Sequence, residues 1–200
     1  MLKSAILRFL GSTVRILGLA LLGALAVLGT AYCCVQFNFN LHAVEPGLVY
    51  RSGQMTPQEL TRLIRSSGVR SVINLRGAHI GEGWYDQELR SAQASGVLLI
   101  NYPISARSEL TIEQMKRISL LIHDCPKPVL IHCGSGADRT GLACALYCVD
   151  AGMSPQAARE QLSFCYGHFP HLLWEDARAM DLSLERYLGQ MRGPLAGVAR

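Results

Sequence analysis

Cys133 and Arg139 stand six positions apart in "HCGSGADRTG", residues 132–141. A thiol and a guanidinium that bracket a short glycine-containing loop suit chemistry on a bound anion. Gly134 and Gly136 let the backbone curl until the N–H groups of Gly134, Ser135, Gly136, Ala137, Asp138 and Arg139 converge on one concavity. A helix starting just behind the loop adds the positive end of its dipole at the same point. Arg139 offers a planar fork that grips two oxygens of a phosphoryl group and stays charged throughout. In that field the thiolate of Cys133 is favoured. A thiolate beneath a phosphate monoester stands in line for attack on phosphorus, giving a cysteinyl-phosphate that water then hydrolyses. Such a site is expected to need no metal and no cofactor, because the amides and Arg139 neutralise the equatorial oxygens. A plain glycine-rich turn, with Cys133 buried and Asp138 or Thr140 capping the helix, explains the glycines but not the bracket.

This chemistry needs a strand ending at His132 and a helix opening after the loop. "PVLIH" at 128–132 is a continuous apolar run suited to the middle of a sheet covered on both faces, and a helix is predicted from Thr140 to Ala151. Around them, "LVYRS" at 48–52, "VRSVINL" at 69–75 and "VLLINYPI" from Val97 read as strands. Thr56, Pro57 and Glu59 open one helix, a second spans about Trp84 to Ala94, and Thr111 with Gln114 forms a capping box for a third. Ser154 and Pro155 open another helix, and "LWEDARAMDLSLERYL" supplies the last. The expected fold class is α/β, a mostly parallel central sheet with helices on both faces. In such sheets ligands bind at the carboxyl ends of the strands, which is where the loop lies.

At these residues the chain resembles the protein tyrosine and dual-specificity phosphatases, whose signature is His-Cys-x5-Arg-Thr/Ser. Gly136 and Gly141 are also in place. The resemblance runs from "GLVYRSGQ" through "SVINLRG" and "YPISA" to "YGHFP", and is greatest to bacterial, often exported, compact dual-specificity-like members. It implies Cys133 as nucleophile, Arg139 as phosphate clamp, Thr140 as a donor to the sulfur, and His132 as a residue orienting the loop from behind. It also implies phosphorylated proteins as substrates, on tyrosine, serine or threonine, with a phosphorylated lipid or glycolipid head group as the alternative. A phosphate-binding module without turnover, or a rhodanese-like sulfur carrier, is disfavoured by the intact Cys133, Arg139 and Thr140.

The chain departs from that pattern in its acid. The family's usual aspartate lies on the loop after the preceding strand, yet "YPISARSELT" carries only Glu109. Mycobacterial secreted phosphatases and myotubularin lipid phosphatases resemble this chain in carrying aspartate just before the arginine. Asp138 is therefore the leading candidate acid and Glu109 the second. Arg107, on the same loop, is a candidate for binding a substrate anion, and Arg76 one for bracing the phosphate loop. Trp84 and Tyr85 are read mainly as helix-face packing. His168 and His171 have no ligating partners at metal spacing, so no metal site is expected there.

Ile16 to Val35 contains no charge over twenty residues and follows Lys3, Arg8 and Arg15. That length spans roughly 30 Å as a helix, the thickness of a bilayer core. Residues 1–37 are expected to anchor the chain, with the N-terminus cytoplasmic and the rest exocytoplasmic, periplasmic in a Gram-negative cell. A signal peptide cut after "GTA" at 29–31 is the alternative. Residues 38–47 then read as a linker, 48–189 as the phosphatase domain and 190–200 as a tail. Of the net charge of +4, three positive charges lie in the N-terminal flank, and no basic block with interleaved aromatics follows. Nucleic acid is not an expected partner. Cys144 and Cys148 share one helix face as packing residues, while Cys125 and Cys165 are free to pair only if the fold joins them.

Overall fold

The computed structural model describes residues 2–170 and 178–192. His171, the start of the last expected helix and residues 193–200 of the tail lie outside them. The chain divides into two compact units, residues 1–37 and 38–200. The first is one helix, α1 (Leu2–Phe37). Its stretch Thr13–Thr30 has mean hydropathy 1.9 and none of it is buried. By length and composition it is able to cross a membrane, and a signal sequence fits the same description.

The second unit alternates strands with helices. Its strands are β1 (His42–Glu45), β2 (Val49–Ser52), β3 (Ser71–Asn74), β4 (Leu98–Asn101) and β5 (Val129–His132), in the spatial order β1-β2-β5-β3-β4. β1 runs antiparallel to β2, and every other pairing is parallel. The expected linker at 38–47 therefore contains an edge strand. The Pro46-Gly47 turn, closed by Leu48 N–H donating to Glu45 O at 3.0 Å, folds "HAVE" back onto β2. Four residues are too short a run to read as a strand by periodicity alone.

β5 is central and its four residues are all at most 1% exposed. Its side chains alternate between two cores: Val129 and Ile131 face α4 (Ile112–Asp124), α5 (Asp138–Asp150) and α7 (Arg178–Arg192). Leu130 faces α2 (Pro57–Ser67) and α3 (Gly83–Ala94). Burying each of these aliphatic side chains stabilises the fold by about 1.5–3 kcal/mol. Helix starts follow the caps in the sequence. Thr56 accepts from Glu59 N–H, and Thr111 with Gln114 forms the full reciprocal box. Ser154 caps α6 (Pro155–Glu160) by accepting from Ala157 N–H. Parallel register brings Ser52, His132, Asn74 and Asn101 side by side at the carboxyl edge of four strands. The loop after His132 emerges from the middle of that row.

Candidate active site

The loop 133–137 is shaped from behind by the end of β2. Gln54 N–H donates to Gly134 O at 2.9 Å, Asn40 Nδ2 to Ser135 O at 3.2 Å, and Arg51 Nη2 to Gly136 O at 2.8 Å. With these three carbonyls drawn back, planar trans peptides turn the N–H groups of Ser135, Gly136 and Ala137 the opposite way, towards the front. Gly136 has φ +78°, and a Cβ there would lie 2.5 Å from Gly53 N. Gly53 is equally constrained, since its own Cβ would lie 2.9 Å from Gly134 O. The two glycines let β2 and the loop touch backbone to backbone. At the base Cys133 is 2% exposed, while Gly134 and Ser135 are exposed.

α5 begins at Asp138, two residues before the expected start, with Ala137 at the N-cap position. Alanine has no side-chain acceptor, so neither Asp138 nor Thr140 is the cap, and the first-turn amides stay open to an anion. Arg139 folds back over the loop. Its Nη1 donates to Leu75 O at 3.3 Å, and its Nη2 lies 3.8 Å from where a Gly134 Cβ would be. Leu75 O also accepts from Ile104 N–H, so the "YPISARSELT" loop starts beside the guanidinium. Thr140 is buried, with its hydroxyl 3.5 Å from Ser52 O.

The two candidate acids meet different partners. Asp138 Oδ1 lies 2.6 Å from His168 Nδ1, and His168 Nε2 lies 3.0 Å from Asp181 Oδ2. Burial pulls the His168 ring down, but the two carboxylates outweigh it and hold the imidazolium up to about 9. Glu109 instead pairs with Arg186 of α7 at the surface. Arg107 is exposed, and its backbone N–H donates to Ser105 Oγ at 3.1 Å, bending the same loop.

On the other side of the loop, His132 is buried with Nε2 2.8 Å from Glu88 Oε1, off the line of a good hydrogen bond. Glu88 also accepts from Asn74 and Gln54, each at 3.3 Å. Gln54 Oε1 receives Arg76 Nη1 at 2.9 Å, and the Arg76 guanidinium lies 3.3 Å over the Trp84 ring. Burial, then the nearby Arg139 charge, lowers the Arg76 pKa from its ordinary value. Trp84 thus supports a cation, while Tyr85 is core and its hydroxyl accepts from Asn101 Nδ2 at 2.8 Å.

Several of these groups escape a reading of the sequence. Arg51 is fully buried and spends its guanidinium on Gly136 O, Gln161 O and Gln161 Oε1, with Tyr166 stacked 3.7 Å away. An arginine inside an apolar strand is the one signal it gives. Glu88, His168 and Asp181 look like ordinary helix and loop residues, because their partners lie far away in sequence. Cys125 and Cys165 are free thiols, as are Cys144 and Cys148. Burial pushes the Cys144 thiol up to about 12 and Cys148 to about 11, consistent with packing.

A family model described as PTP-NADK, "DSP-PTPase phosphatase fused to NAD+ Kinase", matches residues 36–176. No curated protein matches the chain. Among solved structures the chain is similar to TpbA of P. aeruginosa, at 22% identity, covering 78% of this chain and 94% of that one, with TM-score 0.57. It is also similar to the core catalytic domain of the PP-IP phosphatase SIW14 of S. cerevisiae, at 18% identity, 76% and 93% coverage and TM-score 0.55. At such identities these structures establish the fold. Taken with the matched family model, they identify the chain as a member of the dual-specificity-type protein tyrosine phosphatase family and a phosphoric monoester hydrolase.

Proposed function

We propose that the chain hydrolyses phosphate monoesters of tyrosine, serine and threonine side chains in proteins through a covalent cysteinyl-phosphate on Cys133. The observation that carries this is the loop whose Gly134, Ser135 and Gly136 carbonyls are bonded from behind, opposite an uncapped helix start and beneath Arg139. Phosphate oxygens entering the loop would find the amides of residues 134–139 and the Arg139 fork already oriented. The Cys133 thiolate attacks phosphorus, the S–P bond forms, and the bond to the ester oxygen breaks with its electron pair leaving on that oxygen. Asp138 protonates the departing oxygen, and in the second step takes a proton from the attacking water while the pair in the S–P bond returns to sulfur. Thr140 Oγ1 donates to Ser52 O at a long 3.5 Å, and in this reading it turns that proton to the departing thiolate. His132 and Arg76 hold the loop from the Glu88 side, and Arg107 is a contact for substrate anions.

The N-terminal helix acts in this reading as an uncleaved anchor, with Lys3, Arg8 and Arg15 on the cytoplasmic side and the phosphatase unit outside. That favours a second reading, a phosphorylated lipid or glycolipid head group met at the membrane surface. TpbA, solved also in complex with pTyr, supports the first reading.

The test is a panel of phosphotyrosine and phosphoserine peptides, a phosphoinositide and a lipid A-type phosphate, given to the full chain and to Cys133→Ser. Peptide turnover that disappears in Cys133→Ser supports the lead reading. Turnover of the lipids alone supports the second, and phosphate binding without turnover would reduce the chain to a binding module.

A further inference from the structure

His168 follows the 3-10 turn Phe164–Tyr166, and its side chain is 1% exposed. It joins the first residue of α5 to α7, through contacts of 2.6 Å to Asp138 and 3.0 Å to Asp181. Carboxylates only accept hydrogen bonds, so two such contacts around one ring need two protons among the three groups. A neutral imidazole brings one. The second sits on the ring, as imidazolium, or on a carboxyl. Either way a proton lies on the short contact between Nδ1 and Asp138 Oδ1. The raised value of His168, about 9, keeps that proton in place at neutral pH. Among the described residues, the charged groups facing the ring are Asp138 from α5 and Asp181 from α7.

Exposure is graded along this line. The His168 side chain is 1% exposed, while that of Asp138 is 26% exposed at the mouth of the phosphate loop. The buried member holds a proton, and the open member is the one a substrate can touch. Among the described residues these side chains do not make a cluster able to hold a metal ion. Glu109, by contrast, meets an arginine, which has no proton to give up near neutral pH.

We infer that His168 is a positioning residue that, braced by Asp181, fixes the Asp138 carboxyl at the loop and supplies the proton Asp138 passes to the leaving oxygen. The inference rests on the reading of Asp138 as the acid. As the ester bond breaks, the Nδ1 proton of His168 passes to Asp138 Oδ1, and the electron pair of the leaving oxygen takes that proton from the carboxyl. The ring is left neutral, with its Nε2–H still donating to Asp181 Oδ2. When water attacks the cysteinyl-phosphate, one of its protons returns through Asp138 to Nδ1, and the thiolate of Cys133 is restored.

The experiment uses the full chain in detergent, with phenyl phosphate and an aryl phosphate bearing a strongly activated leaving group. His168→Gln is expected to slow phenyl phosphate about 100-fold while slowing the activated ester only a few-fold. Combining it with Asp138→Asn should add little further loss, because both act on one proton. Asp181 meets the far side of the ring from Asp138, and its side chain is 38% exposed, so Asp181→Asn is the variant least apt to disturb folding. Removing that charge should move the alkaline limb of kcat for phenyl phosphate down by about one pH unit. The imidazole titration of His168, followed by NMR in the same chain, should fall with it whether or not turnover is measurable. Equal losses on both esters, together with an unmoved limb and an unmoved titration in Asp181→Asn, would overturn the relay and reduce His168 to a tether. If the wild type hydrolyses neither ester while the NMR titration behaves as expected, the phosphatase reading fails and the relay with it.

Discussion

His132 and His168 are both buried against carboxylates, on opposite sides of one phosphate loop. Their side chains are 2% and 1% exposed, so burial does not separate them. Their partners do. Glu88, beside His132, is itself 4% exposed and shares its oxygens with Asn74 and Gln54. That network is closed, and holds the strand end in place. His168 faces Asp138, whose carboxyl is partly open at the mouth of the loop, and Asp181, which feeds charge from α7. A buried histidine braces when its carboxylate is sealed in, and takes part in proton movement when its carboxylate reaches solvent.

Both sides depend on a working loop, so the largest effect is expected at Arg139. Arg139→Ala should lower kcat/KM for phenyl phosphate by about 10³-fold or more, because it removes the charge that meets the transition state. A loss below tenfold would mean that the amides alone suffice. Next come the two histidines. His132→Gln should slow good and poor leaving groups alike, whereas His168→Gln should discriminate between them. If His132→Gln also discriminates, the contrast between the two sides is lost.

Stability gives a third test. Arg51→Met strips the donors from Gly136 O, Gln161 O and Gln161 Oε1, and should cost about 2–4 kcal/mol in denaturant unfolding. Gly136→Ala should cost about 1–3 kcal/mol through its positive φ and displace the loop from Gly53. The pH dependence is subtler. His168 is raised from 6.5 to about 9, so its contribution is fully present below pH 6.5 and is lost as pH rises through 9. Thermal melts of the full chain should decline across that window, and Asp181→Asn should flatten the decline. The smallest effect is expected at the thiols of α5. Held up to about 12 and about 11, Cys144 and Cys148 should resist alkylation at pH 8.

Much of this was legible in the sequence because it is local. The strand "PVLIH", the glycines and the Cys133–Arg139 spacing each follow from a short stretch, and so do the caps at Thr56, Thr111 and Ser154. What stayed hidden is built from distant pairs. Arg51 reaches Gly136 across 85 positions, and His168 reaches Asp138 across 30. Periodicity carries no record of which helix face meets which loop, so the brace behind the loop and the partner of Asp138 emerge only in three dimensions. The start of α5 at Asp138, ahead of the expected Thr140, carries no such local signal, because Ala137 at the N-cap position has no capping side chain.

A covalent phosphoenzyme at Cys133 is open to direct detection by acid-quenched turnover followed by peptide mass spectrometry. A phosphate adduct is expected on the peptide carrying Cys133 in the wild type, increased in Asp138→Asn under a good leaving group because hydrolysis of the intermediate slows. Phosphate release that continues undiminished in Cys133→Ser, with no adduct on that peptide in the wild type, would contradict it.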